Sequence, residues 1–103
     1  MDRLHLMAVF VAVAEEESFA GAARRLGMSP PAVTRSVASL ENWLGVKLLH
    51  RTTRRLHLTA AGAALLPEAQ ALQTQAQRAR QVVQSLQEEV AGTVRLTVPV
   101  SLG

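Results

Sequence analysis

Thr34, Arg35 and Ser36 stand together in this chain, and their side chains suit recognition by hydrogen bonding rather than bond-making. An arginine fork offers two parallel N–H donors to a guanine edge. A threonine offers its hydroxyl to a phosphate or its methyl group to thymine. At helical spacing Pro31, Thr34, Arg35 and Ala38 share one side, small and polar around a single cation. Such a face fits a DNA major groove. Arg24 and Arg25 lie off the apolar positions of their own segment, within reach of phosphate. Catalytic chemistry has no comparable constellation. The chain carries no nucleophile–base pair, no phosphate-cradling glycine loop and no metal-ligand set, which predicts neither an enzyme nor a cofactor. His50 and His57 lack a carboxylate or cysteine partner, and no metal is expected there.

The elements that must position these residues are legible from spacing. Leu6, Phe10, Val13 and Ala14 make one helical face from Asp2 to Glu16, with Asp2 as N-cap. Glu15, Glu16 and Glu17 crowd its C-terminal end, where the helix dipole disfavours anions and helps the helix stop. Phe19, Ala22, Ala23 and Leu26 make a second face, started by Ser18 and stopped by Gly27. Val33, Val37, Leu40 and Leu44 make a third, capped by Ser29 and ended by Gly45. Two prolines follow Ser29, and the restriction that Pro31 imposes on Pro30 starts this helix at Pro31. A short helix, a glycine-containing turn and a longer helix form a helix-turn-helix. Trp43, with Phe10 and Phe19, is expected in the core.

From Val46 to Thr59 the pattern changes. Leu56 and Leu58 alternate with Arg55 and His57, and Leu48 to Arg51 forms a matching run, which predicts a small β-hairpin wing with arginines at its tip. Arg54 or Arg55 is placed to enter a minor groove, and Arg51 to grip the backbone. Thr59 caps a long helix from Ala60 to about Ala91, on the order of 48 Å at 1.5 Å per residue. Along it Leu65, Ala69, Leu72, Ala76, Ala79, Val83, Leu86 and Val90 alternate steps of four and three, a heptad seam that predicts pairing with a second copy. Pro67 removes one helical hydrogen bond, which predicts a bend. After Gly92, Val94, Leu96 and Val98 alternate with Arg95 and Thr97, which predicts one β-strand belonging to a further domain.

Charge agrees with a polyanionic partner. Between Ser18 and Thr59 the cations are Arg24, Arg25, Arg35, Lys47, Arg51, Arg54 and Arg55, against Glu41 as the lone acid. An adaptor protein built around the heptad helix would have no need of that concentration. The chain has no cysteine, which excludes disulfides and thiolate metal sites and is compatible with a reducing cytosol. No apolar run approaches the roughly 18 residues of a membrane span, and Met1-Asp2-Arg3 does not open a signal-peptide pattern.

Motifs run through almost the whole chain: Phe10-x-x-Val13-Ala14-Glu15, Ser18-Phe19-x-x-Ala22-Ala23-x-x-Leu26, Ser29-x-Pro31-Ala32-Val33-Thr34-x-x-Val37-x-x-Leu40-Glu41, Leu44-Gly45-x-x-Leu48, Arg51-x-x-Arg54 and Leu58-Thr59-x-Ala61-Gly62. On these residues the chain resembles the N-terminal part of LysR-type transcriptional regulators. The resemblance implies a mainly α fold: a winged helix-turn-helix over residues 1–59, a dimerising linker helix over 60–91, and at 92–103 a hinge with the first strand of an effector domain. It implies bacterial promoter DNA as partner, a homodimer, a tetramer at full length, a small-molecule inducer bound by the effector domain, and a cytoplasmic, nucleoid-associated location. Base contacts map onto Pro30, Pro31, Ala32, Val33, Thr34 and Arg35. Backbone and wing contacts map onto Ser18, Arg24, Ser29, Ser36, Arg51, Thr53, Arg54, Arg55 and Thr59. Three residues depart from the family's pattern: Pro30 where Gln is frequent, Glu17 where Gly is common, and Leu49 where Phe is usual.

Overall fold

The computed structural model describes residues 2–52 and 55–97, with side-chain surroundings given to residue 91. Two compact units are present, Met1–Gln73 and Thr74–Gly103. Element order is α1 (Arg3–Glu16), α2 (Phe19–Leu26), α3 (Pro30–Leu44), β1 (Leu49–Arg51), β2 (Leu56–Leu58) and α4 (Ala60–Thr97).

α1 is the centre of the first unit. The Asp2 carboxylate accepts from the Leu4 N–H at 3.2 Å, and Leu6, Val9, Phe10, Val11, Ala12 and Val13 are all buried. Burial round most of the circumference marks a helix packed on several sides. α2 contributes Ala22 and Ala23, whose small side chains permit close approach, and α3 contributes Val33, Val37 and Leu40. Leu48, Leu49 and Ala69 complete this core.

The predicted caps are present. Ser18 Oγ accepts from the Gly21 N–H at 2.9 Å and Ser29 Oγ from the Ala32 N–H at 3.3 Å. α3 begins one residue earlier than expected: Pro30 and Pro31 occupy its first two positions. Both would-be N–H donors belong to the first turn, where no helical acceptor awaits them, so the second proline removes nothing. Gly27 and Gly45 end α2 and α3 in the left-handed conformation, at φ 67° and 73°.

Trp43 departs from expectation. It is 46% exposed, with the Arg3 guanidinium 4.5 Å from its ring centroid. It lies on the outer side of the last turn of α3, where Leu44 is exposed as well, at 38%. Phe19 is half-buried at the core's edge rather than inside it.

The wing pairs antiparallel, Leu49 with Leu58, His50 with His57 and Arg51 with Leu56. Thr52 closes its tip: its N–H donates to the Arg55 carbonyl at 2.9 Å, and its hydroxyl oxygen accepts from the Arg55 N–H at 2.9 Å. Thr53 and Arg54, expected at that tip, lie outside the described residues.

α4 is continuous through Pro67 and extends to Thr97. The strand expected from Gly92 onward is therefore corrected: residues to Thr97 are helical, and Val98 onward lies outside the described residues. A strand needs a neighbour to satisfy its backbone, whereas a helix supplies each N–H with its own acceptor four residues back. The heptad reading also needs division. Ala69 is fully buried and Leu65 packs against the first unit's core, so these two positions face the chain's own α1–α3 layer. In the second unit the apolar residues Val82, Val83, Leu86 and Val90 are 69%, 56%, 60% and 57% exposed. No helix among the described residues is long and apolar enough to cross a membrane.

Candidate nucleic-acid interface

α3 has two chemically distinct sides. Val33, Ser36, Val37 and Leu40 are buried. Pro30, Pro31, Thr34, Arg35, Ala38, Ser39 and Asn42 are exposed, and Ala32 is half-buried. The exposed stripe follows the helical repeat and carries one cation, Arg35. Two expected contacts fall on the wrong side. Val33 is at 0% exposure, and so is Ser36, which packs with the core instead of facing a groove. The apolar spacing Val33–Val37–Leu40 already claimed Val33 for the core, and Ser36 lies on the same arc of the helix.

Arg24, Arg35 and Arg55 are exposed and make no ion pair among the described residues. Arg25 differs from its neighbour Arg24. Its guanidinium meets Glu15 at 2.8 Å and Glu16 at 3.3 Å, tying α2 to the end of α1. The Glu15 hydrogen bond holds the Arg25 proton more tightly than usual. Glu15 also accepts from the Gln70 side-chain amide of α4 at 2.8 Å. That amide first, and Arg25 second, hold the Glu15 carboxyl below its ordinary range.

The wing is fixed to α3 by Glu41, a role that its sequence position signalled only as the lone acid among cations. Its Oε2 accepts from the Leu48 N–H at 2.8 Å and from the Leu49 N–H at 3.3 Å. Lys47 Nζ approaches Oε1 at 3.7 Å, and the Glu41 side chain is 12% exposed. Thr59 holds the same segment from the other side. Its hydroxyl donates to the Lys47 carbonyl at 2.6 Å while its oxygen accepts from the Gly62 N–H at 3.0 Å, and its own N–H donates to the Leu48 carbonyl at 2.9 Å. Thr59, expected to touch DNA, thus has its one hydroxyl proton committed inside the fold. Ser18 and Ser29 accept through oxygen when they cap, so each keeps its O–H.

Arg51, expected to grip the DNA backbone, also makes contacts inside the fold. It is exposed, yet its side chain packs back against the fold. Its guanidinium lies over the Phe19 ring at 3.9 Å from the centroid, and one terminal nitrogen donates a long 3.4 Å hydrogen bond to Thr34 Oγ1. Wing, α2 and α3 meet at this side chain. A cleft beside it is lined by Ser18, Phe19, Arg55 and His57, and a second by Thr34, Ala38, Lys47 and His50. Among the described residues no group of three or more metal-ligating side chains occurs. Such an arrangement of exposed cations, small side chains and hydroxyl donors binds by hydrogen bonding and charge.

A family model described as bacterial regulatory helix-turn-helix protein, lysR family, matches residues 4–63. An HTH-type transcriptional regulator of Xanthomonas campestris pv. campestris (strain 8004) is 45% identical over 95 residues, covering 92% of this chain and 28% of that protein. The CbnR_DBD–DNA complex matches with TM-score 0.75 and 40% identity, over 84% of this chain and 98% of that one. The BenM_DBD/catB site 1 DNA complex matches with TM-score 0.78 and 31% identity, over 84% and 96%. The chain spans 28%, 30% and 31% of the length of three curated relatives.

Proposed function

Because this chain belongs to the LysR family of bacterial regulatory helix-turn-helix proteins, we propose that it binds double-stranded promoter DNA sequence-specifically and serves as the DNA-reading part of a transcriptional regulator, with no catalytic activity. The observation that carries this reading is the exposed stripe of α3, Pro30, Pro31, Thr34, Arg35 and Ala38, on a helix whose opposite side is locked in the core. The likeness to two domains solved with DNA supports it.

In this reading α3 enters the major groove and Arg35 takes a guanine edge. Thr34 and the first-turn residues Pro30, Pro31 and Ala32 sit against the bases. Arg24, Ser18, Ser29 and Arg55 reach phosphates. Thr53 and Arg54 act at the wing, where Arg54 or Arg55 enters the flanking minor groove. Two copies joined through α4 present two recognition helices to grooves about 34–36 Å apart, or a multiple of that. The whole protein forms a dimer or tetramer in the bacterial cytoplasm and answers a small molecule through a domain beyond α4.

Selection of binders from random duplexes at moderate salt tests the reading. A two-fold-symmetric consensus with fixed spacing is the expected result. Arg35→Ala should change base preference at one position of the half-site, costing about 1–3 kcal/mol there. Arg55→Ala should weaken binding to all sequences and reduce the salt slope by about 1. Equal losses on selected and random DNA for Arg35→Ala would count against Arg35 as base reader.

A further inference from the structure

We propose that Arg51 is a positioning residue that sets base preference through Thr34: held over Phe19, its guanidinium fixes the Thr34 hydroxyl as a donor aimed at the groove. This rests on the DNA-binding reading above, and it gives Arg51 a different role from gripping the backbone.

A threonine hydroxyl has one O–H and two acceptor lone pairs. Left to itself on a helix it rotates between donating to water, donating to the carbonyl four residues back, and accepting. In this protein Arg51 supplies a donor to Thr34 Oγ1 from the wing side, at 3.4 Å. Among the described residues Thr34 donates to no group, so its proton is left for the exposed side of α3. The bond is long, and its direction depends on where the guanidinium is held. The Phe19 ring provides that hold, with the cation 3.9 Å from its centroid, inside the range over which a ring face attracts a cation. Phe19 is fixed in turn as the first residue of α2, directly behind the Ser18 cap.

A hydroxyl biased toward donation discriminates between bases. In the major groove its O–H donates to purine N7, guanine O6 or thymine O4, while toward the amino group of cytosine it has only the one lone pair that Arg51 leaves, in a direction set by the Arg51 bond. The chain should therefore disfavour cytosine, on the strand Thr34 faces, by about threefold to tenfold. Removal of Arg51 frees the second lone pair and the rotation of the hydroxyl, so it accepts as readily as it donates and that discrimination falls.

The test uses the whole chain and its selected DNA site. Thr34→Ala identifies the base position that Thr34 reads, as the position whose preference flattens. Arg51→Ala should flatten the same position, and the double variant should flatten it no further. Arg51→Lys keeps the charge but lacks the planar fork and its ring stacking. It should flatten that position with the salt slope unchanged, where a phosphate grip would be preserved. Phe19→Leu leaves Arg51 in place without its platform and should act as Arg51→Lys does. Together these two variants carry the test if Arg51→Ala does not fold. A uniform loss across all four bases in the Arg51 variants, or no position that responds to Thr34→Ala, overturns the proposal alone. A wild-type chain that selects no consensus overturns the DNA reading and this inference with it.

Discussion

Glu17 holds a backbone conformation that glycine adopts freely. Its φ of 55° is the one positive value at a non-glycine position among the described residues, and it sits at the C-cap of α1. A left-handed L-residue costs about 1–2 kcal/mol, and a carboxylate at a helix C-terminus adds repulsion with the dipole. Glu17→Gly should stabilise the first unit by about 1 kcal/mol after the extra entropy of an unfolded glycine is subtracted, read as a higher urea midpoint at unchanged slope. Two residues earlier, Glu15 carries the opposite sign. Its carboxyl is held below the ordinary range by Gln70 and Arg25, so it stabilises the fold above its unfolded pKa of about 4.3 and loses that contribution as pH falls through its lower folded value. Glu15→Gln should lower the urea midpoint at pH 7 and leave it nearly unchanged at pH 3. Both residues were visible in the sequence as an acidic run, but not their fates. Which acid turns the chain and which meets Arg25 depends on where α2 packs.

Gly62 shows what an element demands of one residue. It lies in the first turn of α4, where a Cβ would overlap the Leu48 carbonyl oxygen, and that carbonyl already receives the Thr59 N–H. Glycine inside a helix ordinarily costs about 1 kcal/mol relative to alanine. Here the order should reverse. Gly62→Ala should destabilise by about 2–3 kcal/mol because backbone, not a flexible side chain, must give way. Thermal unfolding checks it, and a variant as stable as the parent would show that the Leu48 carbonyl yields to a Cβ at little cost. The helices were legible because apolar residues at steps of three and four declare them, and because Ser18, Ser29, Gly27 and Gly45 mark their ends. The wing was legible from the alternation of Leu56 and Leu58 with Arg55 and His57. The same alternation misled after Gly92. Period two in a short run states what a strand would look like, not that a partner strand exists. Glu41 was unreadable for a related reason: its acceptors' partners lie in a loop whose return to α3 no periodicity records.

At the scale of the molecule, the ambiguous feature is the apolar seam of α4. A helix that packs on its own domain and a helix that packs on a second copy need the same spacing of three and four, so sequence cannot divide them. Burial does. Leu65 and Ala69 belong to the first unit's core, while Val82, Val83, Leu86 and Val90 remain exposed in the single chain. If two copies associate through the second group, the two groups respond differently to substitution. Ala69→Leu should unfold or loosen the first unit, since a fully buried alanine leaves no room for three further carbons. Leu86→Asp should leave helicity and the unfolding of the first unit intact. It should weaken self-association by roughly 1.5–3 kcal/mol for each leucine withdrawn from burial, more than tenfold in dissociation constant. Sedimentation velocity over a range of concentrations separates these outcomes. An unchanged mass for Leu86→Asp would remove the distal half of α4 from the interface. DNA binding follows the same division: a chain that no longer pairs should bind a single half-site with its Arg35 preference retained, and should lose the fixed spacing between half-sites, because spacing belongs to the dimer and base preference to α3.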